Sequence, residues 1–146
     1  MSKQNDLERF ITAQETNYHI ALTEIKQGKK QSHWMWYIFP QIQGLGFSEM
    51  TKLYAIKDLD EAQEFLRHPV LGKRLMDICN ELLQLKSNDA HTIFGSPDNI
   101  KLKSSMTLFA TVNNTDPVFQ LVLDKFFKGE KDQATVRIIS GLNEYK

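Results

Sequence analysis

Residues 7–25, LERFITAQETNYHIALTEI, carry the clearest periodic pattern of the chain. Apolar side chains recur there every three or four residues, which is the spacing of one face of an α-helix. The residues on that face are Leu7, Phe10, Ile11, Gln14, Tyr18, Ala21, Leu22 and Ile25. Asn5 and Glu8 form a loose capping box at the start, and Gly28 is a stop signal at the end. The stretch therefore predicts a long amphipathic first helix.

Helix-starting residues precede most of the later apolar segments. These starts fall at Ser48, Asp58, Pro69, Ser96-Pro97 and Asp116-Pro117. Residues 132–142 have strand propensity at Val136 to Ile139, but the spacing of their apolar residues suits a final helix better. Short capped helices of this kind predict an all-α fold of about eight helices that is not a simple up-down bundle.

Residues 33–41, HWMWYIFPQ, are apolar on all sides from Trp34 to Phe39. A short buried helix and a buried strand both fit such a run, and the flanking signals favour the helix. We expect the four aromatic side chains to be largely interior, because the segment has no polar face. The alternative is that the tryptophans form a platform on which a planar ligand stacks. The aromatic residues are Trp34, Trp36, Tyr37 and Phe39.

Length and composition limit the class of protein. The chain has 146 residues, of which 41% are hydrophobic, so we expect one globular domain over residues 1–146. Basic and acidic residues number 18 each, and a neutral chain argues against nucleic acid as a partner. The only cysteine, Cys79, fits a reducing compartment. Without a signal peptide or an apolar span, the sequence predicts a soluble, cytoplasmic protein with no membrane partner.

Most sequence motifs of catalysis and cofactor binding are absent. There is no P-loop and no G-x-S-x-G elbow, and Gly44-Leu45-Gly46 lacks the third glycine of a dinucleotide fingerprint. No two of the four histidines have the spacing of metal ligands on a helix. The sequence therefore predicts no metal and no cofactor, and it leaves the catalytic residues unknown.

Polar side chains interrupt two apolar helix faces. A helix is predicted to start at Pro97. One arc of this helix holds large apolar residues together with Asp98, Lys101 and Ser105. Two interpretations stay open: Asp98 and Lys101 pair with each other at a wet helix end, or they line a polar cavity. Gln14 lies at the centre of the first helix's apolar face, where its amide must bond to protein groups or to a ligand.

Several stretches of the sequence resemble one family. They are RFITAQETNY, SHWMWYIFPQIQGLG, YAIKDLDEA, HPVLGKRL and FGSPDNIKLKSSMTLF. Together they resemble a small bacterial family, domain of unknown function eighteen-ten, some of whose members are labelled calpastatin. The resemblance spans roughly residues 6–142. It implies a mostly helical fold, and it implies no established activity, cofactor or catalytic residue.

The sequence favours a domain that binds a small molecule. A polar network shared by distant residues satisfies several buried groups at once, so we expect the interrupting residues to converge on one cavity. A lysine, serines and exposed tryptophan faces there would suit an anionic or nucleotide-like ligand. The predicted binding residues are Gln14, His33, Trp34, Trp36, Gln41, Asp98, Lys101, Ser104 and Ser105, with Lys30 as a further cation.

Two alternatives concern what happens at that cavity. The domain could be a hydrolase of a phosphate-bearing ligand, with His33 or Asp98 as the general base. It could instead be a protein-interaction module without chemistry, whose oligomeric state is open. Calpastatin-type protease inhibition is not expected. Calpain-inhibitory segments are polar and disordered before binding, whereas this chain is aromatic-rich and regularly capped.

Overall fold

The described part of the chain, residues 6–144 of a computed structural model, folds into nine helices and contains no strand. The helices are α1 (Glu8–Lys26), α2 (Met35–Ile38), α3 (Glu49–Tyr54), α4 (Leu59–Arg67), α5 (Leu71–Gln84), α6 (Ala90–Phe94), α7 (Asp98–Thr111), α8 (Val118–Phe127) and α9 (Gln133–Glu144). They form a single compact domain, so the predicted all-α fold is confirmed. None of these helices has the length and apolar character to cross a membrane. The predicted cap Asn5 lies outside the described residues.

Local capping explains where several helices begin. The side chains of Ser48 and Asp58 each accept a hydrogen bond from the backbone N–H three residues later, as the sequence predicts for α3 and α4. The start of α7 is one residue later than predicted, with Pro97 at the cap position and no side-chain cap bond. Ser96 therefore does not cap α7, and the carboxylate of Asp98 lies in its first turn, where the helix dipole favours negative charge.

Helix α7 is the centre of the domain and contacts α4, α6, α8 and α9. It is buried on the arc that holds Leu102 and Phe109, and also on the opposite arc, where Thr107 is fully buried. The hydroxyl of Thr107 donates to the carbonyl of Lys103 (2.8 Å) and accepts from the backbone N–H of Asp132 (2.9 Å). The segment that leads into α9 therefore covers the second arc of α7 and hydrogen-bonds to its buried hydroxyl.

The aromatic segment is a one-turn helix with a buried and a half-buried part. Trp34, Tyr37 and Phe39 are at most 5% exposed, as predicted. The rings of Trp34 and Phe39 both contact Phe94 of α6 edge-on, at centroid distances of 6.4 and 5.8 Å. Trp36 is partly buried and packs against the core, so its ring is less interior than those of the other three aromatic residues. Within the single turn of α2, Met35, Tyr37 and Ile38 are buried, and Trp36 lies at the edge of the core.

Replacing Trp36 with alanine is therefore expected to cost only about 1–2 kcal/mol of unfolding free energy, below the ~3–5 kcal/mol typical of a fully packed tryptophan. Urea denaturation followed by circular dichroism measures this difference. Trp36→Phe keeps most of the buried apolar surface and should lose less than half as much. A loss near 4 kcal/mol for Trp36→Ala would show that the ring is fully packed.

Candidate functional site

A cleft with a volume of about 300 Å³ lies where three segments of the chain meet. The segment from Gln41 to Thr51 forms one wall, the first turns of α7 form the second, and the start of α9 forms the third. A parallel bridge between Ile42 and Ile56 holds the first wall in place. The lining residues are Gln41, Leu45, Gly46, Thr51, Pro97, Ile100, Lys101, Ser104, Asp132 and Ala134.

Two lysines share one carboxylate beside this cleft. Nζ of Lys30 lies 2.9 Å from Oδ2 of Asp98, and Nζ of Lys101 lies 3.6 Å from Oδ1 of the same residue. Lys30 also donates to the carbonyl of Ser32 (2.5 Å) and covers the ring of Trp34 at 4.9 Å. Asp98 and Lys101 thus form the ion pair that their spacing allows, with Lys30 as a second cation from a distant part of the chain. The group of three carries one net positive charge.

Lys101 is the member of this group that faces the cleft. Its side chain is 25% exposed, against 7% for Lys30. Its ammonium lies 5.5 Å from the centre of the Trp36 ring, within the range of a cation–π contact. At 3.6 Å from Asp98 it is too far away for a good hydrogen bond, and it makes no other hydrogen bond with residues 6–142. Its N–H donors are therefore available to a ligand.

Two more polar side chains line the cleft near Lys101. Ser104 is 3% exposed and donates to the carbonyl of Ile100 at 3.2 Å, which leaves its oxygen able to accept. Asp132 accepts through Oδ2 from the backbone N–H (3.0 Å) and the hydroxyl (2.6 Å) of Thr135, and so caps α9. Asp132 is not among the predicted site residues, because its only signal in the sequence is a capping pattern, Asp132-x-x-Thr135.

Other predicted site residues lie elsewhere or are used inside the protein. The amide of Gln14 donates to the carbonyl of Tyr37 (2.8 Å) and accepts from Arg74 (3.4 Å). His33 is exposed and does not line the cleft. Ser105 is fully buried, and its hydroxyl has no hydrogen-bond partner among the described residues. Three of the predicted residues line the cleft: Gln41, Lys101 and Ser104. Two more interact with Lys101, Asp98 through the ion pair and Trp36 through the cation–π contact.

Neither tryptophan presents a free face to this cleft. Trp34 is 1% exposed, and its indole N–H donates to Glu24 at 2.9 Å. Trp36 and Gln41 line a neighbouring crevice of about 10 Å³, which is too small for a ring. Recognition of a planar group in the cleft would therefore use other residues.

Glu24 is a buried carboxylate that the sequence analysis did not single out. Its two oxygens accept from the backbone N–H groups of Gln31 and Ser32, the Ser32 hydroxyl and the Trp34 indole, all at 2.5–2.9 Å. Burial raises the pKa of Glu24, but these hydrogen bonds outweigh burial and lower the pKa from 4.5 to about 2. Glu24 thus stays ionised and fixes the loop that carries Lys30 to Asp98.

The residues that the structure describes assemble no metal-binding cluster and no reactive thiol. In the part of the chain that the structure describes, His, Cys, Asp and Glu side chains form no group of three that could hold a metal ion. Cys79 is fully buried beside Met106, and burial raises the pKa of its thiol. A thiol in such surroundings stays protonated and does not act as a nucleophile.

Comparison with known proteins gives the family and the fold. The model of a family described as "protein of unknown function (DUF1810)" matches residues 4–139. The chain is also similar to the conserved hypothetical protein Rv1873 from Mycobacterium tuberculosis, with 41% sequence identity over 92% of this chain and 96% of that chain. The two structures superimpose with a TM-score of 0.90. None of the curated proteins matches the chain.

Proposed function

This chain belongs to the family described as protein of unknown function DUF1810, and from the geometry of its cleft we propose that it binds a small phosphate-bearing molecule. The observation that carries the proposal is the ammonium of Lys101, which lies on the cleft wall without a hydrogen bond to residues 6–142. A partly buried cation with free donors is a strong partner for an anionic oxygen.

The charges around Lys101 favour an anion over a cation as the ligand. Asp98 is the nearest carboxylate, but its closer contact is with the buried ammonium of Lys30. The second carboxylate, Asp132, is turned through Oδ2 into the cap of α9. Lys101 is therefore incompletely neutralised, and a phosphate oxygen would take up the remaining charge.

The size and lining of the cleft indicate a ligand of nucleotide or sugar-phosphate size. Its volume of about 300 Å³ is at the lower end of the ~300–1,000 Å³ found for small-molecule sites. Leu45, Pro97 and Ile100 supply apolar surface for a ring, whereas Gln41 and Thr51 supply groups that can hydrogen-bond to hydroxyls or ring nitrogens. Ser104 lies one helical turn, three residues, beyond Lys101, and its oxygen would accept a hydrogen bond from a ligand hydroxyl there.

Hydrolysis of the bound molecule would need a base on the cleft. His33 and Asp98 do not line it, and Asp98 is held between two lysines. Asp132 does line it, and its Oδ1 is not used in the capping bonds to Thr135. We therefore propose Asp132 as the general base if the domain is a hydrolase, with water as the nucleophile.

A second candidate function is a protein-interaction module. Phe47 is 81% exposed, and Met50 and Leu53 are exposed one turn apart on α3, beside the cleft. Large apolar side chains that are exposed together mark contact surfaces more often than isolated ones do. In that case a partner chain would cover α3, and the cleft would bind no small molecule.

The two functions are separated by a binding experiment. Thermal-shift screening of inorganic phosphate, adenosine monophosphate and ribose 5-phosphate, followed by calorimetric titration, is expected to give at least one binder. Lys101→Gln should weaken that binder about tenfold or more, because a charge-assisted contact is lost. The same variant should melt within about 2 °C of the unmodified protein, because Gln keeps most of the aliphatic stem and the 3.6 Å contact with Asp98 is too long for a good hydrogen bond.

Lys73→Gln is the matched control, because Lys73 is an exposed lysine of α5 that pairs with Asp77 at 2.7 Å, and neither residue lines the cleft. It should bind the phosphate compound like the unmodified protein. Equal binding by the Lys101 and Lys73 variants would place the phosphate elsewhere. If no phosphate compound binds while Phe47→Ser abolishes self-association or partner capture, the interaction module is the better account.

A further inference from the structure

A second cavity, of about 210 Å³, lies between the end of α4, α5 and the loop that joins α7 to α8. It shares no lining residue with the cleft described above. Its lining residues are Gln63, Leu66, Arg67, Met76, Val112, Asn113, Asn114, Thr115, Asp116 and Phe119. The proposed phosphate-binding function makes no use of these residues.

The apolar part of this cavity comes from the helices. The α4 helix supplies Leu66, and the middle of α5 supplies Met76. The residue after α7 is Val112, and α8 supplies Phe119. Phe119 is fully buried and Val112 is 6% exposed, so the accessible apolar surface comes from the partly buried Leu66 and Met76. It would receive the apolar part of a ligand without rearrangement.

The rim of the cavity carries one charge of each sign. Arg67 is exposed at the end of α4, and its guanidinium forms no ion pair within the described ranges 6–142. Asp116 accepts from the backbone N–H of Val118 through Oδ1 (2.9 Å), which leaves Oδ2 outside that cap. The two residues do not pair with each other, so each is available to an opposite charge on a ligand.

The loop between the charges adds neutral hydrogen-bonding groups. Asn114 has a left-handed backbone (φ 58°), a conformation that asparagine tolerates better than most residues. The buried Oγ1 of Thr115 has no hydrogen-bond partner in the part of the chain that the structure describes. A buried hydroxyl without a partner is costly, so this loop carries an unsatisfied polar group beside the cavity.

From these features we infer that the second cavity is a binding site for a free α-amino acid with an apolar side chain. The ligand's carboxylate would pair with the guanidinium of Arg67, and its ammonium group with the carboxylate of Asp116. Its side chain would lie on the surface formed by the partly exposed Leu66 and Met76. One charge of each sign at the rim matches a zwitterion, and a cavity below ~300 Å³ suits a molecule of amino-acid size.

The test compares L-leucine with two derivatives that each lack one charge, N-acetyl-L-leucine and L-leucinamide. Two-dimensional ¹H–¹⁵N NMR of the full chain, titrated to about 10 mM, is expected to show L-leucine shifting the amides of residues 112–116. Both derivatives should bind about tenfold more weakly or worse, because each loses one of the two ion pairs.

Variants assign the two charges. Arg67→Gln and Asp116→Asn should each weaken L-leucine about tenfold, and Asn at position 116 still caps α8 because it keeps an acceptor oxygen. Lys101→Gln, in the other cleft, is the control and should leave L-leucine binding unchanged. Three outcomes overturn the inference: no shift at 112–116 with L-leucine, equal binding of L-leucine and N-acetyl-L-leucine, or unchanged binding in Arg67→Gln and Asp116→Asn.

Discussion

Replacing Gly72 with alanine is expected to lower the free energy of unfolding by about 3–4 kcal/mol. Gly72 is buried in the first turn of α5, where that helix passes the end of α4. A Cβ at this position would lie 2.0 Å from the carbonyl oxygen of Leu66 and 2.8 Å from its carbon. The obstacle is backbone, so α4 and α5 would have to move apart and lose packing around Phe65 and Leu75.

Gly141 provides the matched control, because it is also a helical glycine, in α9, and a Cβ there meets no atom within 4 Å. Gly141→Ala should raise stability by about 0.5–1 kcal/mol, since alanine favours the helix and restricts the unfolded chain. Alanine brings the same benefit at position 72. The cost of the clash with Leu66 is several times larger, so the net change in unfolding free energy is a loss.

Guanidinium denaturation and calorimetric melting measure both variants. Gly72→Ala should lower Tm by roughly 10 °C, and Gly141→Ala should raise it by a few degrees. Equal stability of Gly72→Ala and the unmodified protein would mean that α4 and α5 do not approach as closely as the structure shows.

Replacing Glu24 with alanine is expected to cost about 3–5 kcal/mol, because it removes one acceptor from four donors. The donors on Gln31, Ser32 and Trp34 would lose their partner, and each buried donor without a partner costs about 1–3 kcal/mol. Water can reach part of the loop and replace some of the lost hydrogen bonds. The total loss of unfolding free energy is therefore smaller than the sum of the four separate costs. The loop that presents Lys30 to Asp98 would loosen as well.

Glu15→Ala is the control for this substitution, because Glu15 is an exposed glutamate on the same helix. Its loss should change stability by no more than about 0.5 kcal/mol. Denaturation of the two variants at neutral pH gives the comparison. A Glu24→Ala variant as stable as Glu15→Ala would show that the hydrogen bonds to Glu24 contribute nothing net.

The low pKa of Glu24 also predicts how stability depends on pH. In the folded protein the pKa is about 2, below its ordinary value of 4.5, so between these values the unfolded chain binds more protons. The contribution of Glu24 is therefore complete above about pH 4.5 and is lost as the pH falls toward 2, by roughly 3 kcal/mol in total. Glu24→Gln removes this titration. The difference in unfolding free energy between the unmodified protein and Glu24→Gln should therefore shrink as the pH falls from about 4.5 to 2.

Most of the secondary structure could be predicted because it depends on local interactions. The three- and four-residue spacing in residues 7–25 and the caps at Ser48 and Asp58 use contacts within one or two turns. The same logic correctly favoured a helix for residues 132–142. The starts of α7 and α8 each lie one residue after the predicted position, and Trp36 is less buried than its aromatic neighbours, because local patterns do not show which segments cover each residue.

The candidate site could be predicted only in part. The i, i+3 spacing of Asp98 and Lys101 and their position on an apolar arc identified the wall of the cleft from one helix. The partners from other segments, Lys30 and Asp132, carried no signal in their own neighbourhood beyond a helix end and a cap. Gln14 gave a clear signal of a buried polar group, and the structure satisfies it with a backbone carbonyl from α2.

By itself the sequence determined that this protein is an all-helical domain, because periodicity and capping act over three or four residues. Only the tertiary structure decided which polar residues come together: Glu24 contacts the loop at residues 31–34, Lys30 pairs with Asp98, and Lys101 and Asp132 line the same cleft. These contacts join residues that are distant in the chain. They depend on the angles and distances between packed helices, which the close approach at Gly72 helps to set and which no local pattern encodes.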